Sequence, residues 1–507
     1  MTMEVVKAAG AAPGATFTRS RDRFETVLAW LEDGAAATLS HGELEEQLQV
    51  DARSLFRELL QEHLDLRAEH EPRIGGVTDA WGVPRRSAET GHTRTLATVF
   101  GLVEVTRIAY RRRGNANLHP ADAVLNLPQE RHSHGLRQLA AVEAARGSFE
   151  GAVEAIERAT GQQLGKRQVE DLVARAAVDF EAFYAQRQAP NGQDGDVLVV
   201  SCDGKGVVMR PDGLRPATAK AAATTNPKLA TRLSKGEKRG RKRMAEVGAI
   251  YDATPVPRTP ADILPSGDTG RRDATRGPVA HNKWLTASVA HDAAAIVAAI
   301  FDEADRRDPN HTRTWIALVD GNNHQIDRIH TEAATRHVNV PILIDFVHVL
   351  EYLWRAAWSF HAEGDPAADA WVRHHAQGVL DGGATRVAGN LRRAATRARL
   401  EPAQRAGADT CAKYLTNKRA YLDYPTALKQ GWPIATGIIE GACRHLVKDR
   451  MDLTGARWGL PGAEAVLKLR ALRCNDDFQN YWRYHLDQEQ RRVHQSRYAD
   501  HAVPQAA

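Results

Sequence analysis

The apolar positions along the chain change texture three times. From Arg19 to about Glu71 they recur at helical spacing, as in RFETVLAWLEDG and DARSLFRELLQEHLDLRAEH, until Gly75 and Gly76 interrupt them. From Thr93, TRTLATVFGLVEVTRIAYRRRG alternates apolar and polar residues about Gly101, the pattern of a β-hairpin. Its basic end, Arg111 to Arg113, reads equally as a solvated strand end or a phosphate contact. Ser148 to Ala177 returns to helical spacing, as two short amphipathic helices about a turn at Gly161 to Gly165. Lys166, Arg167 and Gln168 open the second helix, the layout of a helix-turn-helix that sets them toward DNA. An ordinary packing pair of helices has the same pattern.

After the polar linker Ala189 to Asp196 the third texture begins. VLVVS (Val197 to Ser201) is short and wholly apolar, as expected of a strand buried on both faces, and runs into Asp203 and Gly204. KGVVMR is predicted as a second strand after a tight turn, and AEVGAIYD (Ala245 to Asp252) as a third. A helix from Ala293 to Arg306 follows. The strand WIALVD ends in Asp320 before Gly321, the helix HQIDRIHTEAATRH comes next, and the strand VPILID ends in Asp345. Strands in hairpin sequence, then helix, strand, helix, strand, predict an α/β fold. It is a mixed five-stranded sheet with flanking helices, within a mostly helical chain.

From Leu350 to about Gln430 the spacing is helical throughout, with Trp354, Trp358 and Trp371 assigned to a core. A helix then begins near Ile438. It carries Glu440 in its first turn and Arg444 and Lys448 at successive four-residue steps, so that the three share one face. Ile439, Ala442 and Leu446 cover another side and face a core. The resulting divisions are 1–18 (disordered), 19–90 (helical), 91–190 (hairpin and helix-turn-helix-like), 195–349 (sheet, first part), 350–430 (all-helical insertion), 431–490 (last part, with the Glu440 helix) and 491–507 (disordered tail).

Length and charge narrow the class. The 507 residues suit two or three domains, and 43% hydrophobic with 26% charged residues is a globular composition. Lys and Arg exceed Asp and Glu by 68 to 63, so location matters more than total. The excess concentrates in KLATRLSKGEKRGRKRM, where Lys235, Lys238, Arg239, Arg241, Lys242 and Arg243 surround the lone acid Glu237. No apolar face is available there, and the sign bias points to a polyanion. The four cysteines form no CxxC pair, which argues against a zinc ribbon or disulfide framework and fits the cytoplasm. No apolar run has the length of a signal peptide core or a membrane span.

The chemistry lies in the acids. Asp203 and Asp320 end strands that are neighbours in a sheet of this order, and a glycine follows each, admitting a ligand close to the backbone. Two carboxylates held together cost several kcal/mol without a cation between them. Mg²⁺ takes oxygen ligands of this kind, and Glu440 supplies a third. Two Mg²⁺ or Mn²⁺ ions about 4 Å apart activate a water or a 3′-hydroxyl and stabilise a leaving oxygen. Asp345 also follows a strand, but Asp320 is preferred because its strand comes earlier. His348 and Cys443 read as packing residues.

VLVVSCDGKGV, WIALVDGNNHQI, IDFVHVLEYLW and TGIIEGACRHLVKDRM…GARWG, in that order, resemble bacterial insertion-sequence transposases of the ISKra group, DDE enzymes with an RNase H-like catalytic domain. The resemblance implies that Asp203, Asp320 and Glu440 are the catalytic, metal-holding triad. It also implies that Asp345 to His348 is the (C/D)xxH element outside it, and that the helical block is the superfamily's insertion domain. Such an enzyme cuts and joins the DNA of its own element, working as a homo-oligomer in the synaptic complex. The contacts expected with DNA are the helix-turn-helix residues, the basic loop, Arg444, Lys448, Arg457 and Trp458. Relatives often carry a cysteine-rich zinc segment near the N-terminus, which this chain lacks. A junction-resolving nuclease with the same metal site and a catalytically silent DNA-binding derivative are the alternatives. The expected location is the cytoplasm, with the nucleoid when DNA is bound.

Overall fold

The computed structural model describes residues 16–190, 192–193, 195–224, 241–265, 273–453 and 455–505. The chain divides into two compact units, Met1–Phe183 with Asp477–Ala507, and Tyr184–Asp476.

The first unit opens with helices α1 (Thr18–Glu32) and α2 (His41–Glu69). Ser40 and Glu43 cap the start of α2 reciprocally, satisfying two backbone donors that no helical partner reaches. The hairpin β1 (Ser87–Thr98) and β2 (Gly101–Arg111) follows, with α2 packed on it through Leu64, Leu96, Val103 and Val105. Gly101 has φ +133°, and a Cβ there would lie 2.7 Å from Arg57, so the turn admits glycine alone. Helices α3 (His134–Arg146), α4 (Phe149–Thr160) and α5 (Lys166–Ala176) complete this stretch, with Gly161 in the left-handed region closing α4.

The C-terminal helix Phe478–Glu489 belongs to this unit rather than to the sheet, which corrects the expected boundary. Polar contacts that sequence periodicity does not reveal hold it. The Tyr481 hydroxyl donates to Ala176 O at 2.7 Å, and the buried Arg137 pairs with Glu489 at 2.9 Å. The tail expected to be disordered from 491 is folded instead. Gln490–His494 is a π turn, His494 bonds Leu127 O, and Tyr498 is buried beside Val77, Ile108 and Tyr110.

The second unit is built on the predicted mixed sheet, with strands β3 (Val197–Val208), β4 (Lys242–Ala253), β5 (Ala280–Ser288), β6 (Trp315–Val319) and β7 (Ile342–Ile344). Their order is β5-β4-β3-β6-β7, with β4 antiparallel to both neighbours and β6 and β7 parallel to β3. That is the RNase H-like arrangement. The strand count matches expectation, but its membership does not. VLVVS and KGVVMR form one strand, because β4 pairs with it continuously from Val197↔Ala253 to Val208↔Lys242. Gly204 and Gly206 do not turn the chain. They leave room for Met244 and Lys242, whose side-chain atoms would lie 2.8 and 2.9 Å from an added Cβ. The fifth strand is β5, where the sequence predicts none. It is an edge strand whose first four residues, Ala280 to Lys283, are polar or small and half-buried to exposed.

Helix α6 (Ala293–Arg307) lies on one sheet face, close enough that a Cβ on Gly248 would be 2.8 Å from Ile300. Helix α7 (Asn323–Thr335) joins β6 to β7. Val197, Val199, Tyr251, Ile316 and Leu318, on the other face, share a core with the helical block. That block comprises α8 (Phe346–Ala357), α9 (Pro366–Leu380), α10 (Ala384–Arg397), α11 (Pro402–Asn417) and α12 (Tyr424–Lys429). Trp354 and Trp371 pack against this core, whereas Trp358 is 44% exposed at the end of α8, contrary to expectation. The chain returns to the sheet in α13 (Gly437–Ala442), which continues as a π turn (Cys443–Lys448) and a last turn (Asp449–Met451). Helix α14 (Leu460–Cys474) follows.

Candidate functional site

Asp203 lies inside β3, beyond the point where β6 stops accompanying it. The parallel register runs from Leu198↔Trp315 to Val200↔Ala317, and the same offset carried onward brings Asp203 level with Asp320. The Ser201 hydroxyl reinforces the alignment by donating to Leu318 O. Asp320 is the first residue after β6. Its Oδ1 accepts from the Asn322 N–H at 2.9 Å, and Asn322 in turn caps α7. Gly321 has φ +92°, and a Cβ there would press within 3.1 Å of Ile344 and of the Tyr414 hydroxyl. That hydroxyl donates to Asp320 O at 3.3 Å, so the helical block reaches the Asp320 turn.

Glu440 is exposed in the first turn of α13. One turn on, the Cys443 thiol donates to Asp203 Oδ2 at 3.3 Å. The remaining Asp203 oxygen accepts from the Gly204 N–H at 2.7 Å.

Two buried thiols report on the three charges. Burial, then Asp320 and Asp203, push the Cys202 thiol up to about 12. Burial, then Asp203 and, more weakly, Glu440, push the Cys443 thiol well above its ordinary value. Asp203 is common to both neighbourhoods. Among the described residues none of the three acids has a salt-bridge partner; Cys443, Gly204 and Asn322 supply neutral donors instead. Their oxygens do not all lie within 4.8 Å of one another. The donor set is hard carboxylate oxygen with its thiols held neutral, which fits Mg²⁺ or Mn²⁺.

Residues around the acids carry further information. Glu246, on β4, lies over Gly204. Burial first, then Asp203 and Asp292, raise its carboxyl above the ordinary range despite Arg215 and Arg328. A glutamate in a strand otherwise as apolar as AEVGAIYD was its one sequence signal. Lys418, 9% exposed at the end of α11, bonds Asn323 beside the Asp320 turn. Burial lowers its pKa while Asp320 opposes the shift. No sequence signal marks it among the surface lysines of a helical block.

The expected nucleic-acid contacts divide. Lys166 and Arg167 are exposed at the start of α5, with Lys166 paired to Glu150 at 2.5 Å. Gln168 is occupied as a cap, accepting from the Gly165 N–H. Lys235, Lys238 and Arg239 lie outside the described residues. Arg241 and Lys242 are exposed, but Arg243 is half-buried and spends its guanidinium on the carbonyls of Val289, Gly213 and Ala290. Arg444 and Lys448 are exposed, but the π turn breaks the four-residue face predicted for them with Glu440. Its wider spacing brings Arg444 within 3.8 Å of Asp449, five residues on. Arg457 is exposed. Trp458 is 5% exposed, bonded to Met451 O, joined by backbone to Val208 and Arg210, and covered by Arg450; it is core rather than surface.

No helix among the described residues is long and apolar enough to cross a membrane. No curated protein matches the chain. The model of an uncharacterised protein family, UPF0236, matches residues 35–221, a span that runs from the first unit past the end of β3 and includes Asp203 but neither Asp320 nor Glu440.

Proposed function

We propose that the chain is a DNA transposase of the DDE kind, cutting strands at the ends of its own element and joining them to target DNA. What supports this reading is that Asp203 and Asp320 both act on the Cys202 thiol, and Asp203 and Glu440 both act on the Cys443 thiol, none of the three acids having a salt-bridge partner among the described residues. Divalent ions held there would activate the attacking oxygen and neutralise the leaving one. Asp203, inside β3, and Asp320, at the end of β6, would supply the inner ligands, and Glu440 would close the site from an exposed helix start. The Cys443 thiol orients Asp203. In the first step water attacks the scissile phosphorus and the 3′-oxygen leaves, giving a 3′-hydroxyl and a 5′-phosphate. In the second that hydroxyl attacks a target phosphorus, forming a new phosphodiester as the target's 3′-oxygen leaves.

Lys166 and Arg167, with the basic stretch from Lys228 onward, would bind phosphates, and neutralising them should flatten the salt dependence of DNA binding. The deciding experiment incubates purified protein with the DNA flanking its coding region in Mg²⁺ or Mn²⁺. End cleavage and joining are expected, and both should vanish in Asp320→Asn. Cleavage without joining would favour a nuclease. Undiminished activity in Asp320→Asn would remove the triad.

A further inference from the structure

Asp345 is an acid that the proposed chemistry leaves unused, although it is fully buried at 0% exposure. Its backbone N–H donates to Val319 O, the residue before Asp320, at 2.8 Å. Its Oδ1 accepts from the Val347 N–H at 2.7 Å and so caps α8. Its Oδ2 accepts from both the N–H of Thr436, at 3.1 Å, and the Thr436 hydroxyl. Thr436 stands at the N-cap of α13, the helix that carries Glu440. A threonine there ordinarily turns its oxygen onto its own helix. Thr436 makes no such cap; its hydroxyl goes to Asp345 instead. The Phe346 N–H donates to Ile434 O at 2.8 Å alongside, so the two ends of the helical block are stapled at one point.

We infer that Asp345 is a positioning residue: its buried carboxylate ties the strand end beside Asp320 to the first residue of the Glu440 helix, and so fixes the spacing of those two acids. The inference rests on the proposed reading that both acids hold common ions. Removing a group bonded directly to a metal ligand typically weakens metal binding about 10- to 100-fold; Asp345 acts one bond further out, through Val319 O and Thr436, so the low end of that range is expected. Because one oxygen caps α8 and the other grips Thr436, the two roles can be separated. Thr436→Val removes part of the cross-link and leaves the cap intact.

The test follows hydrogen exchange of residues 437–448 and calorimetric Mn²⁺ titration in the full chain. In Thr436→Val, exchange across that segment should quicken and Mn²⁺ affinity should fall about tenfold. Asp345→Asn should do the same, and Thr436→Ser, which keeps the hydroxyl, should restore both. Tyr424→Phe removes a comparably buried bond to Ile344 O, at the residue before Asp345, and should change neither. Unchanged exchange in Thr436→Val overturns the clamp. Faster exchange with unchanged Mn²⁺ affinity, where Asp203→Asn abolishes binding, overturns the positioning role. If Asp203→Asn leaves Mn²⁺ binding intact, the triad reading fails by itself, and the exchange result still decides whether Asp345 holds the helix.

Discussion

The two ends of the central sheet treat acidic side chains in opposite ways. Where β3 begins, every buried acid has a cation or a full set of donors. Asp252 pairs with Arg313 at 2.7 Å and Arg307 at 3.8 Å, Glu303 meets Arg187, Arg306 and Arg307, and Asp196 binds His281 and Thr254. Where β3 outruns β6, Asp203 and Asp320 accept from neutral donors and Glu440 is exposed. The same sheet therefore contains a finished electrostatic structure and an unfinished one. Buried acids kept for stability alone acquire partners, because an unpaired buried charge is expensive. Asp203 and Asp320 are half-buried and Glu440 is exposed, so solvent can stand in for a partner and their carboxylates stay accessible to a ligand.

The contrast is sharpest in activity. Asp203→Asn, Asp320→Asn and Glu440→Gln should each lower end cleavage on the order of a thousandfold, about 4 kcal/mol of transition-state stabilisation, without loss of folding stability. A triad variant that unfolds in step with its lost activity would make these acids structural, like those at the other end. Asp252→Ala should do the reverse. It removes the counter-charge of Arg313 and the second partner of Arg307, which keeps Glu303, and urea unfolding should register a loss of about 3–5 kcal/mol. A loss below about 1 kcal/mol would erase the distinction between the two ends.

Mn²⁺ offers an intermediate effect. At a hundredfold excess over its dissociation constant it should raise the unfolding free energy by about 2.7 kcal/mol, an increment absent in Asp203→Asn and preserved when only the paired end is altered.

The smallest effect concerns pH in metal-free buffer, where the two ends have opposite signs. Burial works to raise the Asp196 carboxyl, but hydrogen bonds from Thr254, His281 and the Gln193 N–H prevail and hold it low. Its stabilisation is present above the ordinary aspartate value and is lost as pH falls through the folded one. Glu246 is held high, so its penalty is absent at low pH and sets in as pH rises through the ordinary glutamate value to the folded one. Glu246→Gln should therefore stabilise the chain at pH 7 and leave it unchanged near pH 4. Equal denaturation midpoints for variant and parent at both pH values would remove Glu246 from the unfinished end.

The sequence was most legible where burial was total. VLVVS, WIALV and ILI are apolar throughout and became the three parallel strands, and the helical block shows its period from end to end. It was least legible where an element is half-solvated. The polar start of β5 hid a strand, and Gly204 and Gly206 imitated a turn that pairing with β4 irons out. Near the site, strand order alone brings Asp203 and Asp320 together. The π turn after Glu440, the grip of Asp345 on Thr436, the approach of Lys418 and the burial of Trp458 and Arg243 carry no linear signal.

By itself the sequence determined the alternation of strand and helix and the mixed sheet, because apolar periodicity is a local property of neighbouring residues. Tertiary structure alone decided which acids go without a cation, which arginines are spent on carbonyls, and what holds the Glu440 helix in place. Those outcomes depend on partners tens to hundreds of residues away. A charged side chain is the same in the sequence whether or not folding brings it a counter-charge.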